Sequence, residues 1–179
     1  MIKIQVNGLD GLQKKFSNYP KEKKVEINAA LNDWANRTVY DAKALVSANS
    51  SDTGFLGNSI SPEYGDGYSA VVASSKYAAY VEFGTRKFAS QYVPSLPSDW
   101  QAYASTFKGS SDGSITEFFN AILEWVQRKG IGTNDPENSA QLIVFKILRD
   151  GVKARPFIYP SVNKNLPILL EDIKKALKL

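Results

Sequence analysis

Two residue types are missing from this 179-residue chain: it contains no cysteine and no histidine. Without cysteine there are no disulfides, no thiolate nucleophile and no cysteine-ligated metal site. Without histidine there is no Ser-His-Asp machinery, no imidazole acid–base catalysis and little scope for zinc. Neither sign of charge dominates. The 22 Lys and Arg stand against 18 Asp and Glu, a net of +4, which is too mild to mark a nucleic-acid binder by itself. Apolar runs fall far short of the ~20 residues that a membrane span needs. Met1–Gly8 alternates apolar and polar residues where a targeting signal would carry an apolar block. An enzyme would be left with carboxylate, Lys, Tyr or Ser/Thr chemistry. With 43% hydrophobic and 22% charged residues the chain is globular in composition, and its length favours one domain with room for an insertion. The expectation is a soluble protein of a reducing compartment, or of a particle assembled there.

Ile2, Ile4 and Val6 alternate with Lys3, Gln5 and Asn7, the pattern of a strand with one buried face over 2–7. Leu9, Leu12 and Phe16 suggest a short amphipathic turn, and Tyr19-Pro20 a helix entry. Val25, Ile27, Leu31, Trp34, Ala35, Val39, Ala42, Leu45 and Val46 then recur at helical spacing, which predicts one long amphipathic helix over 21–48. Ser50–Gly57 has loop composition. Gly65-Asp66-Gly67 predicts a hairpin between strands 58–64 and 68–75. Pro62 confines the first of these to an edge or a bulge, while the small, uncharged outer face of the second suggests protein on both sides. Tyr77–Phe83 reads as one or two helical turns with Tyr77, Tyr80 and Val81 at helical spacing, stopped by Gly84.

From Thr85 to Gly113 no period is visible although aromatics are frequent, the mark of a functional loop or one ordered by a partner. Ser114 and Glu117 form a capping-box pattern for a helix closed by Gly130, and Asp135-Pro136-Glu137 opens another that ends at Gly151. Pro156 predicts an extended 152–159. A last helix follows over 160–179, with Pro167 as its kink or true start and Ile168, Leu169, Ile173, Ala176 and Leu177 facing inward.

Little in the sequence carries chemistry. Gly65-Asp66-Gly67 lacks the pattern of a phosphate loop, and no Gly-x-Ser-x-Gly elbow occurs. Glu63/Asp66 and Glu171/Asp172 are the close acidic pairs, each explained more simply by solvated charge, and Glu63, Glu82 and Glu124 are the residues a carboxylate hydrolase would be tested at. Lys14, Lys15, Lys21, Lys23 and Lys24 lie within eleven residues, either a solvated helix face or, in an alternative reading, a nucleic-acid-binding patch working with exposed aromatics. Two segments are harder to dismiss. In Tyr77–Arg86, Glu82 sits among apolar neighbours with Arg86 at i+4 as its nearest partner. In Gly151–Pro160, Phe157 resembles a core anchor, and Arg155 could reach Glu82 or a neighbouring subunit.

Val-Glu-Phe-Gly-Thr at 81–85, preceded by Tyr77-Ala78, and Ala-Arg-Pro-Phe at 154–157, followed by Pro160, resemble the two signature segments of a phage neck and tail-completion family, the HK-ninety-seven-type gene-product-ten family. The opening Gly8-Leu9-Asp10-Gly11-Leu12 and the run Thr53-Gly54-x-Leu56-x-x-Ser59-Ile60 are similar to the same family. The resemblance covers most of 1–88 and 150–179, and the stretch between is longer than in many members. It implies an α+β fold: a small curved antiparallel sheet packed against the long N-terminal helix and the C-terminal helix. Added to that is a helical insertion around 114–150, in a single domain 1–179 whose core is 1–88 and 150–179 and whose insertion is 89–149.

The resemblance also implies a non-enzymatic virion protein, assembled in the bacterial host cytoplasm, with no cofactor, metal or membrane partner. It would be a subunit of a sixfold homo-oligomeric ring at the head–tail junction, touching connector and tail-tube or tail-terminator proteins, with nonspecific DNA in the lumen. The residues placed at subunit or partner interfaces are Tyr77, Tyr80, Glu82, Arg86, Phe88, Tyr92, Trp100 and Arg155. The opposing patch would draw on the hairpin at Gly65–Gly67 or on the long helix.

Overall fold

The computed structural model describes residues 1–5, 20–49, 52–107 and 115–177. The turn at Leu9–Phe16, the end of the first strand, Lys14, Lys15 and the Ser114 cap lie outside the described residues. The chain forms two compact units: Met1–Glu82 with Arg155–Leu179, and Phe83–Ala154 between them.

The first unit is α+β. Strands β1 (Ile2–Gln5), β2 (Ile60–Gly65) and β3 (Tyr68–Ala73) make an antiparallel sheet of order β1-β3-β2. The hairpin is as the Gly-Asp-Gly turn predicts, and Pro62, which has no N–H to give a ladder, lies on the edge strand β2. The register fixes the two faces. Ile2, Ala73 and Ile60 stand in one row and Ile4, Val71 and Pro62 in the next. On the opposite face Lys3 reaches across β3 to Glu63, Nζ to Oε1 at 2.6 Å.

Helix α1 (Lys21–Asn49) buries Ile27, Leu31, Trp34, Ala35, Thr38, Val39, Ala42 and Val46, the near-continuous stripe that a helix of roughly 40 Å needs. Val25, expected inside, is exposed. The helix packs on the sheet and along α8 (Ile158–Leu177). Polar seams fix both contacts. On the sheet side three asparagines one turn apart engage the hairpin. Asn28 accepts from Gly67 N–H at 2.8 Å and donates to Asp66 at 3.0 Å. Asn32 accepts from the Ser69 hydroxyl at 2.8 Å, and Asn36 from the Tyr64 hydroxyl at 2.6 Å. On the other side Arg37 pairs with Asp172, and Asp41 accepts from Lys164 and Asn165.

Partial burial alone would raise the Asp41 carboxyl, but the Lys164 ammonium and the Asn165 amide outweigh it and hold the group below the usual carboxylate range. A four-residue helix, α2 (Phe55–Asn58), occupies what the composition marked as loop and buries Leu56. Helix α8 begins two residues before Pro160 and runs through Pro167. Pro167 and Asn163, whose carbonyl it deprives of a helical N–H, are both exposed, where water can serve that carbonyl. Ile168, expected inside, is exposed; Val162, Asn165, Leu169 and Ile173 form the buried stripe instead.

Every regular element among the described residues of the second unit is a helix. The segment read as an irregular loop from Thr85 folds as α4 (Arg86–Tyr92), a 3₁₀ turn at Val93–Ser95 and α5 (Ser98–Ser105). Elements this short cannot print a period on the sequence. An aromatic cluster anchors α5 and the residues just after it: the Phe83 ring lies 5.9 Å from Phe107, 6.4 Å from Trp100 and 6.4 Å from Tyr103. Helices α6 (Ile115–Lys129) and α7 (Pro136–Asp150) follow where predicted, and the Asp135 carboxylate caps α7 by accepting from Asn138 N–H at 2.9 Å.

Asn32→Ala leaves the buried Ser69 hydroxyl without its acceptor, and unfolding free energy should fall by about 1–3 kcal/mol. Ser69→Ala in that background should cost little more, so a double-mutant cycle in urea returns a clear coupling. Because the folded Asp41 pKa is depressed, its contribution is present above about pH 4 and lost as pH falls through the folded value. Asp41→Asn should therefore flatten the acid limb of a stability–pH profile.

Candidate functional site

The two signature segments meet at the start of α8. Helix α3 (Ala78–Phe83) turns Ala78, Ala79, Glu82 and Phe83 inward, leaving Tyr77 exposed and Tyr80 and Val81 half-buried. The small alanines let α3 sit close to its surroundings. Glu82 is 0% exposed. Its Oε2 accepts from Phe157 N–H at 2.7 Å and Ile158 N–H at 2.9 Å, and its Oε1 from Tyr159 N–H at 2.9 Å. A helix leaves its first N–H groups without intrahelical partners and carries partial positive charge at that end. Glu82, remote in sequence, supplies the acceptors for both. Burial pushes its carboxyl above the usual carboxylate range, and the three N–H groups pull the other way.

Neither arginine expected beside Glu82 pairs with it. Arg155 donates its backbone N–H to the Val81 carbonyl at 2.7 Å and its Nη1 to the Asn49 carbonyl at 2.6 Å, tying the end of α1 to the segment that precedes α8. Arg86 is exposed and opens α4 with φ 50°, the one non-glycine among the described residues in the left-handed region.

Two glycines are required where Thr85 approaches Val152. Thr85 N–H donates to the Val152 carbonyl at 2.9 Å, and Val152 N–H to the Thr85 hydroxyl at 2.7 Å. Gly84 has φ 71°, and a Cβ there would lie 2.9 Å from both Ala154 N and Val152 O. Gly151 has φ 90°, and a Cβ would strike the Thr85 carbonyl. Both positions combine a left-handed backbone with no room for a side chain.

The other interface candidates are dispersed. Tyr77 packs its ring 6.2 Å from that of Phe55, and both are exposed. Phe88 and Tyr92 are half-buried on α4, with the Lys87 ammonium 5.3 Å from the Phe88 ring. Trp100 is 9% exposed and belongs to the aromatic cluster. Glu82 and Trp100 are therefore interior residues, a correction to their expected place on a contact surface.

The chemistry available is correspondingly small. Both Glu82 oxygens are engaged, Glu63 is paired with Lys3, and Glu124 is exposed on α6. No group of three or more His, Cys, Asp or Glu among the described residues could hold a metal ion. Of the basic cluster, Lys23 is paired with Glu26 at 2.7 Å. No helix among the described residues is long and apolar enough to cross a membrane. Sequence reasoning missed the Asn28/Asn32/Asn36 seam, which its four-residue spacing could have revealed.

Glu82→Gln keeps the shape but turns an amide NH2 towards backbone donors. It should lower unfolding free energy by about 1–3 kcal/mol in a urea titration without changing far-UV helicity. Gly151→Ala should destabilise by a comparable amount, since it adds both strain and a clash.

Residues 10–84 match the family described as "Bacteriophage HK97-gp10, putative tail-component". The match ends at Gly84, so it takes in α1, the hairpin and the Glu82 segment. A comparison with curated proteins and another with solved structures each gave no match. The family match supports the resemblance drawn from the motifs: over residues 10–84 the chain is similar to this family, while the second motif, at 154–157, lies outside the matched stretch.

Proposed function

We propose that this protein is a structural subunit of a tailed-phage virion that performs no catalysis. It completes the tail or joins it to the head as part of a closed homo-oligomeric ring, with sixfold symmetry and with connector and tail-tube or tail-terminator proteins as its neighbours. The match of residues 10–84 to a phage tail-component family carries this reading. The site geometry supports it: the one buried carboxylate of the signature segments has both oxygens committed to a helix end. A ring needs two different patches that fit each other. The exposed Phe55–Tyr77 pair beside the first signature is suited to one of them, because aromatics bring large contact area at low entropic cost. Tyr80, Arg86, Phe88, Tyr92 and Arg155 remain candidates for subunit or partner contacts. If the lumen passes DNA, unspecific lysine contacts suffice.

Negative-stain microscopy of the purified protein, alone and with connector and tail-tube proteins, should show rings. The double variant Phe55→Asp/Tyr77→Asp should keep its circular dichroism and lose them. A subunit that stays monomeric under every one of these conditions would refute the ring.

A further inference from the structure

Helices α6 and α7 hold more apolar surface than they cover. Helix α6 carries Ile115, Phe118, Phe119, Ile122, Leu123, Trp125 and Val126, and of these only Val126 is buried. In α7 six of the seven residues from Leu142 to Leu148 are apolar, Lys146 being the exception, so apolar side chains surround the helix. A helix apolar on all sides calls for burial on all sides, yet Val144 alone of the six is buried. Ile115 is 65%, Leu142 62% and Phe145 60% exposed. Ile115 and Phe145 line one groove with Phe119, Val144 and Leu148 and with the polar Thr116, Asp135, Glu137, Asn138 and Gln141; Leu142, a turn before Phe145, flanks that lining.

We infer that this face is covered by the same face of a second copy, the two helical pairs closing into a four-helix bundle about a two-fold axis. Size and charge both select that occupant. Three side chains of this kind, three-fifths exposed, leave roughly 300–400 Å² in water. That is about half of the ~800 Å² each partner of a standard interface contributes, and the partly exposed aromatics of α6 with the exposed polar groove residues Glu137, Asn138 and Gln141 add to it. Any two-fold across the face sets each helix antiparallel to the one it meets. Helix α6 runs from Glu117 to Arg128 and Lys129, and α7 from Glu137 to Lys146 and Arg149, whose positive charge exceeds that of the Asp150 carboxylate paired with them by one. Antiparallel contact of identical copies thus opposes unlike charges in every such arrangement, whereas parallel contact would oppose like ones. The pairing does not rest on the ring. A closed ring uses a head-to-tail contact, whereas this one is isologous and doubles whatever it joins, single chains or whole rings.

The test is sedimentation of the full chain at concentrations up to about 100 μM, a range that captures micromolar dimers. The wild type should show an even-numbered assembly of 19.8 kDa chains. Phe145→Asp and Leu142→Asp, both at exposed positions and therefore harmless to folding, should each halve the mass. Leu170→Asp, at a 51% exposed position of the first unit, should leave it unchanged. A monomeric wild type, a mass indifferent to both hairpin variants, a collapse from ring directly to monomer, or equal sensitivity to Leu170→Asp would each overturn the inference.

Discussion

Three backbone N–H groups at the start of α8 and the single carboxylate that receives them govern how the first unit closes. Taking the ionised Glu82 out of water costs several kcal/mol even after the surroundings relax. Three charge-assisted hydrogen bonds and the helix field offset that cost without abolishing it, which is why burial still dominates the carboxyl's titration. The interaction matters most through asymmetry. Its net gain over solvated groups is modest, but without it the buried helix end would hold donors with no acceptor. So α3 has to sit where its second turn faces α8, and the residues around Glu82 follow from that demand. Ala78 and Ala79 allow the approach, and Gly84 takes the chain away in a conformation other residues resist.

The same economy of polar contacts organises α1. A 29-residue helix with one apolar stripe could slide by a turn against sheet or neighbour and still bury comparable area. Asn28, Asn32 and Asn36 remove that freedom on the hairpin side, because each has a different partner at a different height. Arg37 and Asp41 do so along α8. Hydrophobic burial supplies the drive and these seams supply the register.

Much of this was legible beforehand. The long helix, the hairpin, the edge placement of Pro62 and the two helices before Gly151 follow from periods, turn chemistry and caps that act within a few residues. What escaped depends on contacts distant in sequence or on elements too short for periodicity. Arg86 and Arg155 looked like partners for Glu82 because side-chain charge is visible in a sequence, whereas the N–H groups of a helix yet to be placed are not. The 85–107 segment looked irregular because its elements are too short to print a period, and the rings gathered around Phe83 anchor its later part. Val25 and Ile168 fit the helical period but fall just outside the covered arc. Glu82 stood out in the sequence as a carboxylate among apolar neighbours, and the structure commits both its oxygens to the start of α8.

The bond between Arg155 N–H and the Val81 carbonyl carries one more consequence. It brings together the points where the chain departs after Glu82 and resumes at Arg155. Whatever is spliced between such neighbouring ends imposes only a loop-closure cost that grows slowly with length. The region 83–154 is thus joined to the framework at two adjacent points, a connection tolerant of inserts of very different sizes. A reporter or affinity tag could be grafted at the same junction.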